Sequence, residues 1–226
     1  MSVRYGGYRG VLQWATLLSL WLAGGVAFAQ TFPTAQSDAA SQAGNRTVLV
    51  VGDSLSAGYG IAAHEGWVAL TGQRLAARTP AWKIVNASIS GESSAGGAAR
   101  IVAEVVRVRP AVVLVELGGN DGLRGLPLRD LRRNLARMIG ASQSVGAKVL
   151  VIGMRLPPNY GRAYTDEFER GFCGIAKLLH ATCLPFLLEP IASDRTAFQD
   201  DNLHPVASVQ PALRDHVWPA LVPLLD

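Results

Sequence analysis

Thr47-Val48-Leu49-Val50-Val51-Gly52-Asp53-Ser54-Leu55-Ser56 is the stretch whose reading decides the fold. Four apolar residues follow one another without a polar interruption, and a glycine closes the run. A strand exposed on one side alternates apolar and polar residues; an unbroken run suits a parallel strand covered on both faces. Similar runs recur at Ile84-Val85-Asn86-Ala87, at Ala111-Val112-Val113-Leu114-Val115-Glu116-Leu117 and at Lys148-Val149-Leu150-Val151-Ile152. A weaker fifth, Cys183-Leu184-Pro185-Phe186-Leu187-Leu188, contains Pro185, which suggests a sheet edge.

Helical patterns fill the gaps. Trp67, Leu70, Leu75 and several alanines recur at helical spacing within 64–78, and Ile101, Val105 and Val108 do so within 94–108. Leu128, Leu131, Leu135, Met138 and Ile139 form a stripe in 127–144, with Arg129, Arg133 and Arg137 opposite as a solvated face. Further helices are expected over 163–180 and after Pro211. Parallel neighbours need crossover connections, so this alternation implies an α/β fold: a five-stranded parallel sheet between two layers of helices. In such sheets ligands bind beyond the carboxyl ends of the strands, and the residues following each run are where chemistry is expected.

The length of 226 residues favours one ordinary domain. Charged residues make up only 17% and hydrophobic ones 49%, which argues against a disordered or coiled-coil chain. The formal charge of +4 includes Arg4 and Arg9, and losing them with a leader leaves +2. That balance, with no Lys/Arg block interleaved with aromatics, excludes nucleic acid as a partner.

Residues 1–10 carry those two arginines and no acid; an apolar stretch runs from Val11 to Val26, and Ala27-Phe28-Ala29 offers a small-x-small exit. These are the three parts of a secretory signal. The rival, an uncleaved anchor, needs roughly 20 apolar residues, more than this stretch supplies. Residues 1–29 are therefore expected to be a signal peptide, 30–46 a flexible Ala/Ser/Gln-rich leader and 47–226 the folded domain. An exported, monomeric protein without a stable membrane anchor is expected. Cys173 and Cys183 would then meet an oxidising compartment, which permits a disulfide; two separate buried thiols fit the spacing equally well. Neither has the spacing partners of a zinc site.

At the first strand end, Gly52 lets the backbone turn and Ser54 sits where a helix begins. A hydroxyl there gains from the helix N-terminus when negative charge develops nearby; a plain N-cap serine is the bland alternative. The second strand leads to Gly91, whose N–H can face a cleft or merely serve a turn. The third ends in Gly118-Gly119-Asn120-Asp121, where Asn120 offers an amide donor. Near the C-terminus, Asp201 and His204 stand three apart, so one turn can join carboxylate and imidazole; a structural histidine is the alternative. A carboxylate on one ring nitrogen leaves the other free to take a proton from a nucleophile. Together these supply a nucleophile (Ser54), a base (His204), an orienting acid (Asp201) and three oxyanion donors (Ser54, Gly91, Asn120). Asp53 and Asp121 read as loop-bracing acids.

These residues resemble the blocks of the SGNH (GDSL-type) hydrolases: Gly52-Asp53-Ser54-Leu55-Ser56, Gly91, Gly118-x-Asn120-Asp121 and Asp201-x-x-His204-Pro205. All four blocks occur in order over roughly 47–225. Ser54-Leu55-Ser56-Ala57-Gly58-Tyr59-Gly60 and Arg155-Leu156-Pro157-Pro158-Asn159-Tyr160-Gly161 are similar to the exported thioesterase I, arylesterase and lysophospholipase L1 group. Asn202 departs from the glycine of many relatives, but Asn tolerates the same left-handed backbone. The resemblance implies a flavodoxin-like sheet of order 2-1-3-4-5 and a serine hydrolase of acyl esters, thioesters or lysophospholipids, needing no metal or other cofactor. It also implies a substrate wall at Arg155, Leu156 and Pro157, with the loop 122–127 as a lid. The GxSxG elbow of α/β-hydrolases is absent. A carbohydrate O-deacetylase would use the same blocks with a shallow polar or aromatic cleft, and a non-catalytic binding module would need one block broken.

Overall fold

The computed structural model describes residues 46–226, so the expected signal segment and all but the last residue of the expected leader lie outside the described residues. Five strands, β1 (Thr47–Gly52), β2 (Lys83–Asn86), β3 (Val112–Glu116), β4 (Lys148–Ile152) and β5 (Thr182–Leu184), form one sheet of order β2-β1-β3-β4-β5. All neighbours are parallel, and the register sets Gly52 of β1 beside Glu116 of β3. β1 and β3 are buried throughout, as their unbroken apolar runs require. This is the flavodoxin-like order.

Among the described residues seven α-helices accompany the strands: α1 (Ser54–Ala57), α2 (Trp67–Ala76), α3 (Ser94–Val108), α4 (Gly119–Leu123), α5 (Leu128–Ser144) and α6 (Arg162–Leu178) lie between strands, and α7 (Gln210–Leu221) follows the last. They pack in two groups, α3 on α5 on α6 and α2 on α7, which gives the sheet its two covers. The stripe of Leu128, Leu131, Leu135, Met138 and Ile139 is buried, with Arg129 and Arg133 at the surface, as the periodicity requires.

Two expectations shift. The helix expected over 64–78 begins only at Trp67, with turns before it. The last strand ends at Leu184 rather than running to Leu188, because Pro185 has no N–H for the ladder. The chain then bends back, with Leu187 N donating to Gly153 O at 3.0 Å. Cys173 on α6 and Cys183 on β5 are joined by a disulfide, their Cα atoms 5.4 Å apart, which closes the alternative left open by the sequence.

Candidate active site

The site assembles beyond the carboxyl ends of β1, β2, β3 and β4, with the loop before α7 bringing Asp201 and His204 to it. Asp53, not Ser54, caps α1: its Oδ1 accepts from Leu55 N at 3.1 Å. Ser54 is left as the first helical residue, half-buried, its hydroxyl free for other work. Gly52 is obligatory here by close approach, since a Cβ would stand 2.7 Å from the Ser56 side chain and 2.8 Å from Glu116 Oε2.

His204 arrives on a short closed loop. Phe198 and Pro205 form an isolated antiparallel bridge, Gln199 N donates to His204 O at 2.8 Å, and Gln199 Nε2 donates to Tyr59 O at 2.9 Å. Within the loop, Asp201 Oδ1 accepts from the backbone N–H groups of Leu203 and His204 at 2.9 and 3.0 Å. Asn202 takes the left-handed conformation, φ 55°, which its side chain tolerates. The turn holds Asp201 Oδ2 2.6 Å from His204 Nδ1, and His204 Nε2 2.8 Å from Ser54 Oγ. The imidazole, through its hydrogen bond and with backbone help, holds the Asp201 carboxyl down at about 2, so it is ionised throughout the physiological range. The Tyr59 ring lies 4.5 Å from the imidazole, centroid to centroid.

Gly91 and Asn120 flank this series. Gly91 has φ 78°, which a side chain would strain, and its carbonyl accepts from Arg124 Nη2 at 3.0 Å. Asn120 Nδ2 donates to Asp53 Oδ2 at 3.2 Å and to Glu92 O at 3.1 Å, which ties the first, second and third strand ends together. Glu92 is itself gripped by Arg100 through Nε and Nη2. Asp121 accepts from Ser94 N at 2.7 Å and Ser94 Oγ at 2.5 Å, fixing the start of α3 beneath the Gly91 turn. Asp53 and Asp121 both brace loops, as their positions at strand ends suggested. Burial pushes Asp53 up to about 6, opposed by its hydrogen bonds from Leu55 and Asn120.

Gly119, next to Asn120, and Leu203, next to His204, help line a cavity of about 420 Å³ with mainly apolar walls, among them Leu123, Met154, Leu156, Phe186, Leu188 and Phe198. Arg155 and Pro157 also line it. The Arg155 guanidinium, however, is committed to Glu169 at 2.7 Å and Glu189 at 2.5 Å. The segment 122–127 is tethered rather than bare: Leu126 N donates to Asp121 O, Tyr160 Oη to Leu123 O and Tyr164 Oη to Leu126 O. Sequence reading missed Met154, Phe186, Leu188 and Phe198 as cavity walls, and it missed Glu116. For Met154, Phe186 and Leu188 the available signal was position just past β4 and β5; Phe198, in a later loop, carried none.

A serine hydroxyl backed by an imidazole and an ionised carboxylate, at the carboxyl ends of a parallel sheet, is the arrangement of a serine hydrolase. The chain belongs to the GDSL-like Lipase/Acylhydrolase family, whose sequence model matches residues 50–209, and by class it is an esterase. It is 47% identical over 184 residues to Esterase TesA of Pseudomonas aeruginosa, covering 81% of this chain and 92% of that one. It is 39% identical over 180 residues to Thioesterase 1/protease 1/lysophospholipase L1 of Escherichia coli, covering 80% and 85%. The crystal structure of the psychrotrophic esterase EstA from Pseudoalteromonas sp., inhibited by monoethylphosphonate, superposes with a TM-score of 0.76 at 37% identity, covering 80% of this chain and 99% of that one.

Proposed function

We propose that Ser54, His204 and Asp201 carry a two-step acyl transfer on small acyl esters, thioesters, aryl esters or lysophospholipids. The observation that supports this reading most directly is the unbroken series Ser54 Oγ, His204, Asp201, with contacts of 2.8 and 2.6 Å, whose loop neighbours Asn202 and Leu203 help line an apolar cavity. His204 Nε2 takes the hydroxyl proton as Ser54 Oγ attacks the acyl carbon, and Asp201 stabilises the imidazolium formed. The tetrahedral oxyanion is received by the Ser54 and Gly91 N–H groups and the Asn120 amide, whose Nδ2 must swing one hydrogen from Asp53 or Glu92 toward it. One such donor is worth about 2.7–4 kcal/mol in the transition state. The imidazolium then protonates the departing alcohol or thiol. Water, deprotonated by His204, attacks the acyl-serine; as the tetrahedral adduct collapses, Ser54 Oγ regains the proton and the acid leaves.

The apolar walls favour an acyl chain over a sugar. A deacetylase would want a shallow cleft with polar or aromatic platforms; here the two aromatic walls, Phe186 and Phe198, stand among the aliphatic Leu123, Leu156 and Leu188 and the thioether of Met154. We read Leu156 and Pro157 as substrate contacts and Arg155 as the brace that fixes their segment through its two glutamates. The leaving group is open to the mouth, where apolar discrimination is worth only about 1–3 kcal/mol per methylene. Residues 1–29 act as a cleaved signal and 30–46 as a leader to the 47–226 domain, so the protein is exported; we take it to work as a monomer. Export makes cytosolic acyl-CoA an unsuitable natural substrate. Among the described residues, no helix is long and apolar enough to cross a membrane.

The test is kcat/KM on p-nitrophenyl acetate, butyrate and octanoate, a thioester, a lysophospholipid and an acetylated xylooligosaccharide. The reading expects butyrate or octanoate to exceed acetate by at least tenfold and the acetylated sugar to be the poorest. A preference for the acetylated sugar would overturn it in favour of the deacetylase.

A further inference from the structure

One buried acid has no part in the acyl transfer described above. Glu116, the last residue of β3, is fully buried. Its Oε2 accepts from Asp53 N at 3.4 Å and from Ser56 Oγ at 2.6 Å, the residues one before and two after Ser54. Its Oε1 has no hydrogen-bond partner among the described residues. Both donors are neutral groups. The other four residues of β3 are valines and a leucine, so packing alone would place an aliphatic side chain here.

The contacts extend beyond the strand. Ser56 O accepts from Asn86 Nδ2 at 2.8 Å, so α1 is held from β2 as well as from β3. Asp53, fixed through its N–H by Glu116, holds Leu55 N with one carboxylate oxygen and Asn120 Nδ2 with the other. Glu116 therefore sits at the root of two of the three oxyanion donors assigned above. Gly52, its register neighbour, has no Cβ where one would collide with Oε2.

We propose that Glu116 is a positioning residue that works as the neutral acid: by holding Asp53 N and Ser56 Oγ it aims the Ser54 N–H and hydroxyl, and through Asp53 the Asn120 amide. An ionised carboxylate in this place would be a second negative charge against Asp53, and among the described residues no cation bears on Glu116 directly. Burial, with Asp53 adding to it, pushes the Glu116 carboxyl well above the ordinary carboxylate range. Asp53 is the titratable group that bears on Glu116 directly; His204 and Asp121 bear on Asp53 in turn. The inference rests on the roles proposed for Ser54 and Asn120.

The experiment compares Glu116→Gln, Glu116→Ala, Ser56→Ala and Ser54→Ala on p-nitrophenyl butyrate at pH 7, with circular dichroism and Tm to establish folding. Losing the contacts misplaces the Ser54 turn, so Glu116→Ala is expected to lose kcat about 10–100-fold with KM within about threefold. Glu116→Gln, which keeps an acceptor oxygen and cannot ionise, is expected to restore kcat to within about threefold of wild type. Ser56→Ala, which removes one of the two contacts, is expected to fall between them in kcat.

A folded Glu116→Ala with wild-type kcat overturns the proposal. So does a Glu116→Gln as impaired as the alanine variant, because an ionised carboxylate would then be what the site requires. Should the alanine variant not fold, Glu116→Gln decides alone: a folded glutamine variant below a tenth of wild-type kcat overturns it. Ser54→Ala separates the two readings. If it stays active, the acyl-serine assignment fails; if it is inactive while Glu116→Ala is unimpaired, only the positioning role fails.

Discussion

The Ser54 hydroxyl and the His204 imidazole are 150 residues apart in sequence and 2.8 Å apart in space. The contact is made by two separate devices: the Asp53-capped start of α1 fixes the serine, and the bridge between Phe198 and Pro205 fixes the loop that carries the histidine. Because Asp53 does the capping, Ser54 is not needed to start its helix. Ser54→Ala is therefore expected to keep its circular dichroism spectrum and Tm while kcat for p-nitrophenyl butyrate drops by at least about 10⁴-fold. Equal hydrolysis by the variant and the wild type would show that the nucleophile lies elsewhere.

Asp201 makes three hydrogen bonds inside one turn, two from backbone N–H groups and one with His204 Nδ1. Asparagine in its place can keep a backbone contact, but it turns the imidazole toward the wrong tautomer. Asp201→Asn is expected to lower kcat by about 10³–10⁴-fold with little change in KM. The loop should keep its shape, which proton resonances of Leu203 N–H and His204 N–H would report. A loss of less than tenfold would remove Asp201 from the assigned role.

How much of this was legible follows from what each residue's reading depends on. β1, β3 and β4 are covered on both faces, so their apolar runs speak for themselves, and parallel topology then points to the strand ends. Ser54, Gly91, Asn120 and His204 can be singled out from the sequence because they stand at those ends or in the last loop. Glu116 was not found: in sequence it is one polar residue inside an apolar run, and its donors Asp53 and Ser56 are 63 and 60 positions away. The cavity walls were hidden for a similar reason. Phe186 and Leu188 read as strand, and only the break at Pro185 turns them into a pocket. The short α4, with glycines at 119 and 122, carries no helical period and read as loop.

Asp53 makes stability depend on pH. Its carboxyl is almost fully buried, and burial raises it from 3.8 to about 6. Between those values the folded chain holds a proton that the unfolded chain releases, so stability is fully present below about 3.8 and declines as pH rises through about 6. Asp53→Asn has no such proton. Relative to that variant, wild type is expected to lose on the order of 2 kcal/mol of unfolding free energy between pH 4 and pH 7.5, measured by urea titration at both. A wild-type advantage that grows with pH would contradict the buried, proton-retaining Asp53.

The disulfide acts on a different part of the fold. Cys173 and Cys183 are ten positions apart and link the body of α6 to β5, the edge strand whose continuation supplies Phe186 and Leu188 to the cavity. Closing a loop of that length restricts the unfolded chain by about 2–3 kcal/mol. In a domain of this size that corresponds to a Tm shift of roughly 5–10 °C. The paired substitution Cys173→Ser with Cys183→Ser is expected to lower Tm by that amount, and treatment with dithiothreitol should bring the wild type down to the variant's value while leaving the variant unmoved. The hydroxyl, imidazole and carboxylate sit on elements the bond does not touch, so kcat on p-nitrophenyl butyrate well below Tm should change less than threefold, roughly 0.6 kcal/mol. A wild-type Tm insensitive to reductant would mean that the cross-link does not constrain the unfolded chain in solution.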